Sequence, residues 1–218
     1  MLPRFLYLHG FGSGPESTKG RGVAASLAEL GVGVDRLNLR VPSFAGLRVS
    51  AMVDVVQAAI GGPTDRAVLL GSSLGGLVAA TVAARDPRVG AVVLLAPAFG
   101  IARRWRERSA AELAAWEETG WLSVTDHTTG KLARVDVGFL RDVEAVDVGP
   151  VDVRVPVLLI HGRNDDVVDI EGSRTWASTR RNCRMIEVED GHELAASLPL
   201  ICTEVRRFLA PWWGGAGD

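Results

Sequence analysis

The chain has 218 residues and a formal net charge of −2, and its 47% hydrophobic and 23% charged residues are ordinary for a folded globular domain. This composition excludes a disordered protein, and the absence of a basic run excludes the usual signature of nucleic-acid or anionic-membrane binding. No stretch resembles a signal peptide or a membrane span. We therefore predict a cytoplasmic protein with small-molecule partners, no nucleic-acid or membrane partner, and a monomeric or homodimeric state.

Short apolar runs alternate with helical patterns along the first hundred residues. Four apolar runs have the length of strands, at 5–8, 34–39, 67–70 and 89–96. Three segments between them suit helices, at 15–30, 47–60 and 77–84. This alternation predicts an α/β fold with a mostly parallel sheet and helices on both faces. Ligands of such sheets bind beyond the carboxyl ends of the strands.

The alternation stops over residues 98–150, which contain no convincing buried strand. We predict an inserted cap of short helices here, within one domain of residues 1–218, and a capping box at 109–112 opens one of its helices. The segment contains three of the six tryptophans, namely Trp105, Trp116 and Trp121. These side chains are expected to offer an apolar surface to a substrate, unless they only fill a small core of the segment itself.

Regular patterns return after this segment. An apolar run at 156–160 and an alternating run at 184–188 predict strands, with helices at 170–179 and from 194 to 208. Polar residues follow both strands, including Asp165, Asp166 and His192. Two cysteines, Cys183 and Cys202, show neither metal-ligand spacing nor a disulfide framework, and we expect both to be small buried hydrophobic residues.

The most informative motif is Gly-Ser-Ser-Leu-Gly at 71–75, which lies between a predicted strand and a predicted helix. A strand that turns directly into a helix strains the turn residue, and flanking glycines let the neighbouring backbone pass closely. The central Ser73 hydroxyl then stands exposed above the sheet edge as a candidate nucleophile. The Leu74 N–H at the start of the helix is free to bind an oxyanion beside it.

Ser73, Asp165 and His192 follow three different predicted strands, in the chain order nucleophile, acid, base. A serine hydroxyl is a poor nucleophile unless a base accepts its proton, and the base needs an acid to orient it and to stabilise its charged form. The other three histidines are assigned lesser roles. His9 and His161 end strands directly and are expected to be structural, while His127 is expected at the surface.

These motifs together resemble those of the α/β-hydrolases over the whole chain. The His-Gly-x-x-Asp-x-x-Val spacing at 161–168 resembles the acid turn of that superfamily, which selects Asp165 over Asp166 as the acid. The stretch at 7–19 resembles the start of small bacterial serine esterases. With the motifs at 70–76 and 165–168, it is also similar to the acyl-protein thioesterase group that includes the mitochondrial acyl-glucuronide esterase.

The resemblance implies an α/β-hydrolase fold that is shortened at its amino-terminal edge, because the chain begins at what would be an inner strand. It implies hydrolysis of carboxylic esters or thioesters of small to medium acyl groups through an acyl-enzyme on Ser73, without metal or organic cofactor. It also assigns the Phe11 N–H as the second oxyanion donor beside that of Leu74.

Other interpretations of the same residues stay open. The same three residues serve perhydrolysis and carbon–carbon bond hydrolysis in this fold, and a member without turnover could act as a ligand-binding module. Ser17, Lys19 and Arg21 near the start of the first helix could bind an anionic group, although serine and lysine at such positions are usually cap and solvent-facing residues.

Overall fold

Alternating strands and helices make up most of the residues that the computed structural model describes, which are 2–107, 110–147 and 151–213. The strands are β1 (Arg4–Leu8), β2 (Val34–Leu37), β3 (Ala67–Ser72), β4 (Val89–Leu95), β5 (Trp121–Asp126), β6 (Lys131–Asp136), β7 (Val157–Gly162) and β8 (Cys183–Val188). The helices are α1 (Thr18–Ala28), α2 (Val49–Ile60), α3 (Leu74–Arg85), α4 (Ile101–Arg106), α5 (Ala110–Thr119), α6 (Gly138–Val146), α7 (Ile170–Ser178) and α8 (Leu198–Trp213).

Six of the strands form one sheet in the order β2-β1-β3-β4-β7-β8, and every neighbouring pair is parallel. The wholly buried strands β3 and β7 are the continuous apolar runs of the sequence, as expected for strands that are covered on both faces. The first strand of the chain, β1, pairs on both sides and is therefore an inner strand. These features confirm the predicted α/β fold.

Side chains on the two faces of the sheet form separate cores. In β1, Leu6 and Leu8 pack on one face with α2, α3 and α6, while Phe5 and Tyr7 pack on the other with α1 and α8. This follows from the two-residue period of a strand. No helix within the described ranges has both the length and the apolar character that a membrane crossing requires.

Residues 98–150 contain more than the predicted short helices. Besides α4, α5 and α6, the segment holds the antiparallel hairpin of β5 and β6, which the sequence analysis did not predict. Strand β5 exposes alternate residues and β6 exposes three of its first four, so neither has the buried apolar run by which most of the other strands were recognised. The capping position Ser109 lies outside the described residues, and the assignment of 98–150 as an insertion in a single domain stays a prediction.

The ends of two helices differ from the sequence prediction. Helix α1 begins at Thr18, where the Ser17 side chain accepts a hydrogen bond from the Gly20 N–H, and it ends before Leu30, which is 44% exposed. Helix α8 begins at Leu198 and not at the predicted residue 194. Leu194 belongs to the preceding loop, where it has a left-handed φ of 51° and a buried side chain. Both cysteines are free thiols that are partly buried, rather than buried as expected.

Candidate active site

Ser73 stands in a strained turn between β3 and α3. Its φ is 54°, in the left-handed region that a side chain rarely adopts, and its N–H donates to the Leu95 carbonyl at 2.9 Å. The flanking glycines make this turn possible. A Cβ on Gly71 would lie 2.3 Å from the Gly75 carbonyl oxygen, and one on Gly75 would lie 2.2 Å from the Leu8 carbonyl oxygen.

Ser73, His192 and Asp165 form one hydrogen-bonded chain across three strand ends. The His192 Nε2 lies 3.0 Å from the Ser73 Oγ, and its Nδ1 lies 2.8 Å from the Asp165 Oδ2. Because an ionised carboxylate only accepts, the Nδ1 carries the proton of a neutral ring and the Nε2 lone pair faces the serine hydroxyl. This tautomer allows His192 to accept a proton from Ser73.

Asp165 is held as an anion by four hydrogen-bond donors. Its Oδ2 accepts from His192 and His161, and its Oδ1 accepts from the N–H groups of Val167 at 2.9 Å and Val168 at 2.7 Å. Its side chain is fully buried, and burial alone would raise its pKa. The hydrogen bonds from both histidines and from Val168 outweigh burial, so the pKa of Asp165 lies well below its ordinary value. Asp166 makes none of these contacts, and the assignment of Asp165 as the acid stays a prediction.

His161 supports Asp165 from the buried side. Its Nε2 lies 3.1 Å from both the Asp165 Oδ2 and the Val168 carbonyl oxygen, which are acceptors, so this nitrogen carries a proton and donates. Its Nδ1 lies 2.8 Å from the Ser173 hydroxyl at the first turns of α7. The imidazole therefore fixes the carboxylate of Asp165 rather than facing Ser73, which agrees with the structural role expected for it.

Two backbone N–H groups flank Ser73 and donate to no other group within the described part of the chain. One belongs to Leu74, the first residue of α3, and the other to Phe11 in the loop after β1. This loop passes close to the serine, because a Cβ on Gly10 would lie 3.1 Å from the Ser73 Cβ. The two N–H groups can together receive an oxyanion formed at Ser73.

His9 fixes the peptide that carries the Phe11 N–H. The Leu39 N–H donates to the His9 Nε2 at 3.0 Å, which leaves the proton on Nδ1, and the Nδ1 lies 2.9 Å from the Gly10 carbonyl oxygen. Since this carbonyl belongs to the same planar peptide unit as the Phe11 N–H, holding one orients the other. Burial lowers the pKa of His9, which favours the neutral ring that this geometry requires.

Lys19 lies beneath His192 rather than in an anion site. Its ammonium is buried, with the residue only 7% exposed, and donates to the His192 carbonyl oxygen at 2.9 Å. Arg21 is exposed, and Ser17 caps α1, so the three residues proposed for anion binding do not converge. The contact was not predicted from the sequence, although the spacing of Lys19 with the buried Val23 and Leu27 places it on the inner face of α1.

A pocket of about 100 Å³ opens beside Ser73. Its lining consists of Phe11, Ser73, Ala98, Phe99, Ile101, Arg104, Trp105, Val167 and Val168. Of the three tryptophans predicted to contact substrate, only Trp105 lines it. Trp116 is buried behind Trp105, with its indole N–H donating to the Val135 carbonyl at 3.1 Å, and Trp121 is 43% exposed on β5. The substrate-binding role predicted for Trp116 and Trp121 is therefore not supported by their positions, because a place in the segment 98–150 does not by itself bring a side chain to the pocket.

Comparisons with known proteins agree with this architecture. The structure is similar to that of alpha/beta hydrolase domain-containing protein 10 from mouse, with a TM-score of 0.80 and 20% identity over 96% of this chain and 90% of that one. It is also similar to Est1E from Butyrivibrio proteoclasticus, with a TM-score of 0.78 and 22% identity over 97% and 88% of the two chains. The Paleococcus ferrophilus monoacylglycerol lipase gives a TM-score of 0.78 and 18% identity, with 96% of each chain covered.

No curated protein matches the sequence. A family model does match it, over residues 4–201, and that family is described as "Uncharacterised protein family (UPF0227)". The matched range includes β1, the Ser73 turn and the loop of His192. The chain therefore belongs to the UPF0227 family, and its fold is that of the α/β-hydrolases.

Proposed function

We propose that this protein is a serine esterase or thioesterase that hydrolyses carboxylic esters or thioesters through an acyl-enzyme on Ser73. The observation that carries the proposal is the continuous chain from the Ser73 Oγ to the His192 Nε2 at 3.0 Å and from the His192 Nδ1 to the Asp165 Oδ2 at 2.8 Å. The similar solved structures include proteins named as an esterase and a lipase, which supports the same reaction class.

In the first half of the proposed reaction, His192 accepts the proton of the Ser73 hydroxyl while its Oγ attacks the carbonyl carbon of the ester. The ionised Asp165 stabilises the imidazolium that forms. Negative charge then develops on the carbonyl oxygen, and the N–H groups of Leu74 and Phe11 are placed to receive it. The tetrahedral intermediate collapses as His192 donates its proton to the leaving alcohol or thiol, which leaves an acyl group on Ser73.

In the second half, a water molecule replaces the alcohol. His192, neutral again, accepts a proton from the water, whose oxygen attacks the acyl carbon, and the same two N–H groups receive the second oxyanion. Return of the proton to Ser73 releases the carboxylic acid. Because the pocket beside Ser73 has a volume of about 100 Å³ and mostly apolar walls, we expect the acyl group to be of small to medium length.

The proposal is tested by hydrolysis of p-nitrophenyl esters from acetate to palmitate. We expect turnover that is highest for short and medium chains and that Ser73→Ala abolishes without loss of the fold. The matched control is Ser72→Ala, a buried serine one residue earlier that makes no hydrogen bond to His192 or Asp165 in the described structure. Undiminished turnover by folded Ser73→Ala would overturn the proposal.

A further inference from the structure

Three arginines on the short helix α4 have different surroundings. Arg103 pairs with Glu107 at 3.3 Å, and Arg106 pairs with Glu117 at 2.9 Å and with Glu144. The guanidinium of Arg104, in contrast, makes no hydrogen bond or ion pair with any residue in the described ranges. Among the described residues, two of these cations have acidic partners and Arg104 has none.

Helix geometry explains which arginine is left. Ile101, Arg104 and Trp105 stand at positions i, i+3 and i+4 and share one face, and all three line the pocket that contains Ser73. Arg103 and Arg106 point away from this face, towards glutamates on the outer surface. Arg104, which has no acidic partner in the described part of the chain, is therefore the arginine of this helix that lines the pocket of the proposed reaction.

The described residues that line the rest of the pocket wall include no carboxylate that could pair with Arg104. Apart from Ser73, the other lining residues are apolar, and Arg104 itself is partly buried. A cation beside apolar walls is poorly solvated, and its attraction for an anion is stronger there than in water. The planar guanidinium can donate two parallel hydrogen bonds to a carboxylate, which makes it a selective partner for that group.

We infer that the pocket accepts esters or thioesters whose acyl chain carries an anionic group, a carboxylate above all, and that Arg104 binds this group while Ser73 faces the ester carbonyl. The apolar residues between them then contact the methylene chain. This inference rests on the proposed function, because it names the substrate class of the same site. Arg104 is a specificity residue in this account and takes no part in the bond-breaking steps.

Two substrates that differ in the charge of the acyl terminus, and otherwise only by one methyl group, test the inference. The mono-p-nitrophenyl ester of adipic acid carries a terminal carboxylate, and its methyl ester is the neutral counterpart. We expect the wild-type protein to prefer the anionic substrate, and Arg104→Met to lower the ratio of the two kcat/KM values by about 10- to 100-fold, the range for a hydrogen bond to a charged group. Arg103→Met, on the outer face of the same helix, should keep the wild-type ratio. An unchanged ratio in Arg104→Met would overturn the inference.

A third substrate decides which side of the ester carries the anion. In 4-carboxyphenyl hexanoate the carboxylate lies on the leaving group, and its methyl ester is again the neutral reference. We expect Arg104→Met to leave the ratio for this pair close to that of the wild type. Loss of preference here, but not with the adipate pair, would contradict the assignment of the anionic group to the acyl chain.

A binding measurement separates failure of the inference from failure of the proposed function. Calorimetric titration of Ser73→Ala with monomethyl adipate and with dimethyl adipate needs no turnover. We expect tighter binding of the monoanion, and loss of this difference when Arg104→Met is added. If neutral esters are hydrolysed but no charge preference exists in either assay, the inference fails alone. If charge-selective binding is seen but no ester is hydrolysed, the proposed function fails while the binding site stands.

Discussion

Replacing Lys19 with methionine removes the ammonium group that holds the His192 carbonyl from α1. The donor and acceptor are 2.9 Å apart, and Lys19 is only 7% exposed, so water cannot readily take its place. A hydrogen bond from a charged donor contributes about 1.5–3 kcal/mol. If that energy holds the imidazole in line with Ser73, its loss lowers kcat by about 10- to 100-fold.

The free energy of unfolding should respond much less than kcat. Burial lowers the pKa of Lys19, and the nearby carboxylates of Glu193, Asp165 and Asp190 oppose this shift. Placing an ammonium group in a buried position carries a desolvation cost. Methionine has a similar length and removes that cost, so we expect a change in unfolding free energy of at most about 1–2 kcal/mol.

Steady-state kinetics with p-nitrophenyl butyrate and urea unfolding measure the two effects in Lys19→Met. A positioning role predicts a fall in kcat with little change in KM, and a parallel fall in the rate at which a fluorophosphonate labels Ser73. The control is Arg21→Met, which alters an exposed cation two residues further along α1. A folded Lys19→Met protein with the wild-type kcat and labelling rate would refute the reasoning.

Three further predictions concern the surroundings of the site. His9→Phe releases the peptide that carries the Phe11 N–H, and kcat should fall by about 100-fold, as for loss of one oxyanion donor; a kcat within a factor of about 2 of the wild type would contradict this. Gly75→Ala places a Cβ 2.2 Å from backbone, so thermal unfolding should show a large loss of stability, and an unchanged midpoint would argue against the turn geometry. Because burial raises the pKa of Cys183 to about 11, its thiol is protonated at pH 8. The Cys202→Ala protein should therefore react with a disulfide reagent far more slowly than free cysteine does, and its rate should rise as the pH approaches 11.

The sheet and the three residues of the proposed reaction could be predicted because local signals determine them. Ser73 and Asp165 follow the buried apolar strands β3 and β7, and His192 follows the alternating edge strand β8. Parallel topology gathers the side chains that follow these strands at one edge of the sheet. Helix α2 was also predicted from a local signal, because the residues that it buries, at 49, 52, 53, 56 and 60, have the spacing of one helix face. In these segments, the spacing of apolar residues and the glycine and proline residues that end each element were sufficient to predict the strands and helices.

The β5–β6 hairpin could not be predicted in the same way. Each of its strands is half exposed and is completed by pairing with the other, as Leu122 with Val135 and Val124 with Ala133. Neither strand has a continuous apolar run in its own sequence. The hydrogen bonds that stabilise the hairpin form between the two strands and cannot be inferred from the sequence of one strand.

The roles of Lys19 and Arg104 depend on long-range contacts that no local pattern encodes. Lys19 meets a residue 173 positions later in the chain, and its charge suggested an anion site rather than a buried donor. Arg104 lies in a run of arginines that suggests only a solvated face. Its difference from Arg103 becomes visible once the folded helix shows which side chains meet glutamates and which one faces the pocket.

The central claim, an acyl-enzyme on Ser73, is tested most directly by trapping it. Protein mixed with p-nitrophenyl butyrate and quenched in acid within the first turnover is digested and analysed by mass spectrometry. We expect a butyryl group on the peptide that contains Ser73, more of it in a variant whose His192 is replaced by alanine and whose deacylation is slower, and none in Ser73→Ala. Rapid turnover with no acyl group on this peptide at any quench time, and with Ser73→Ala still active, would contradict the account.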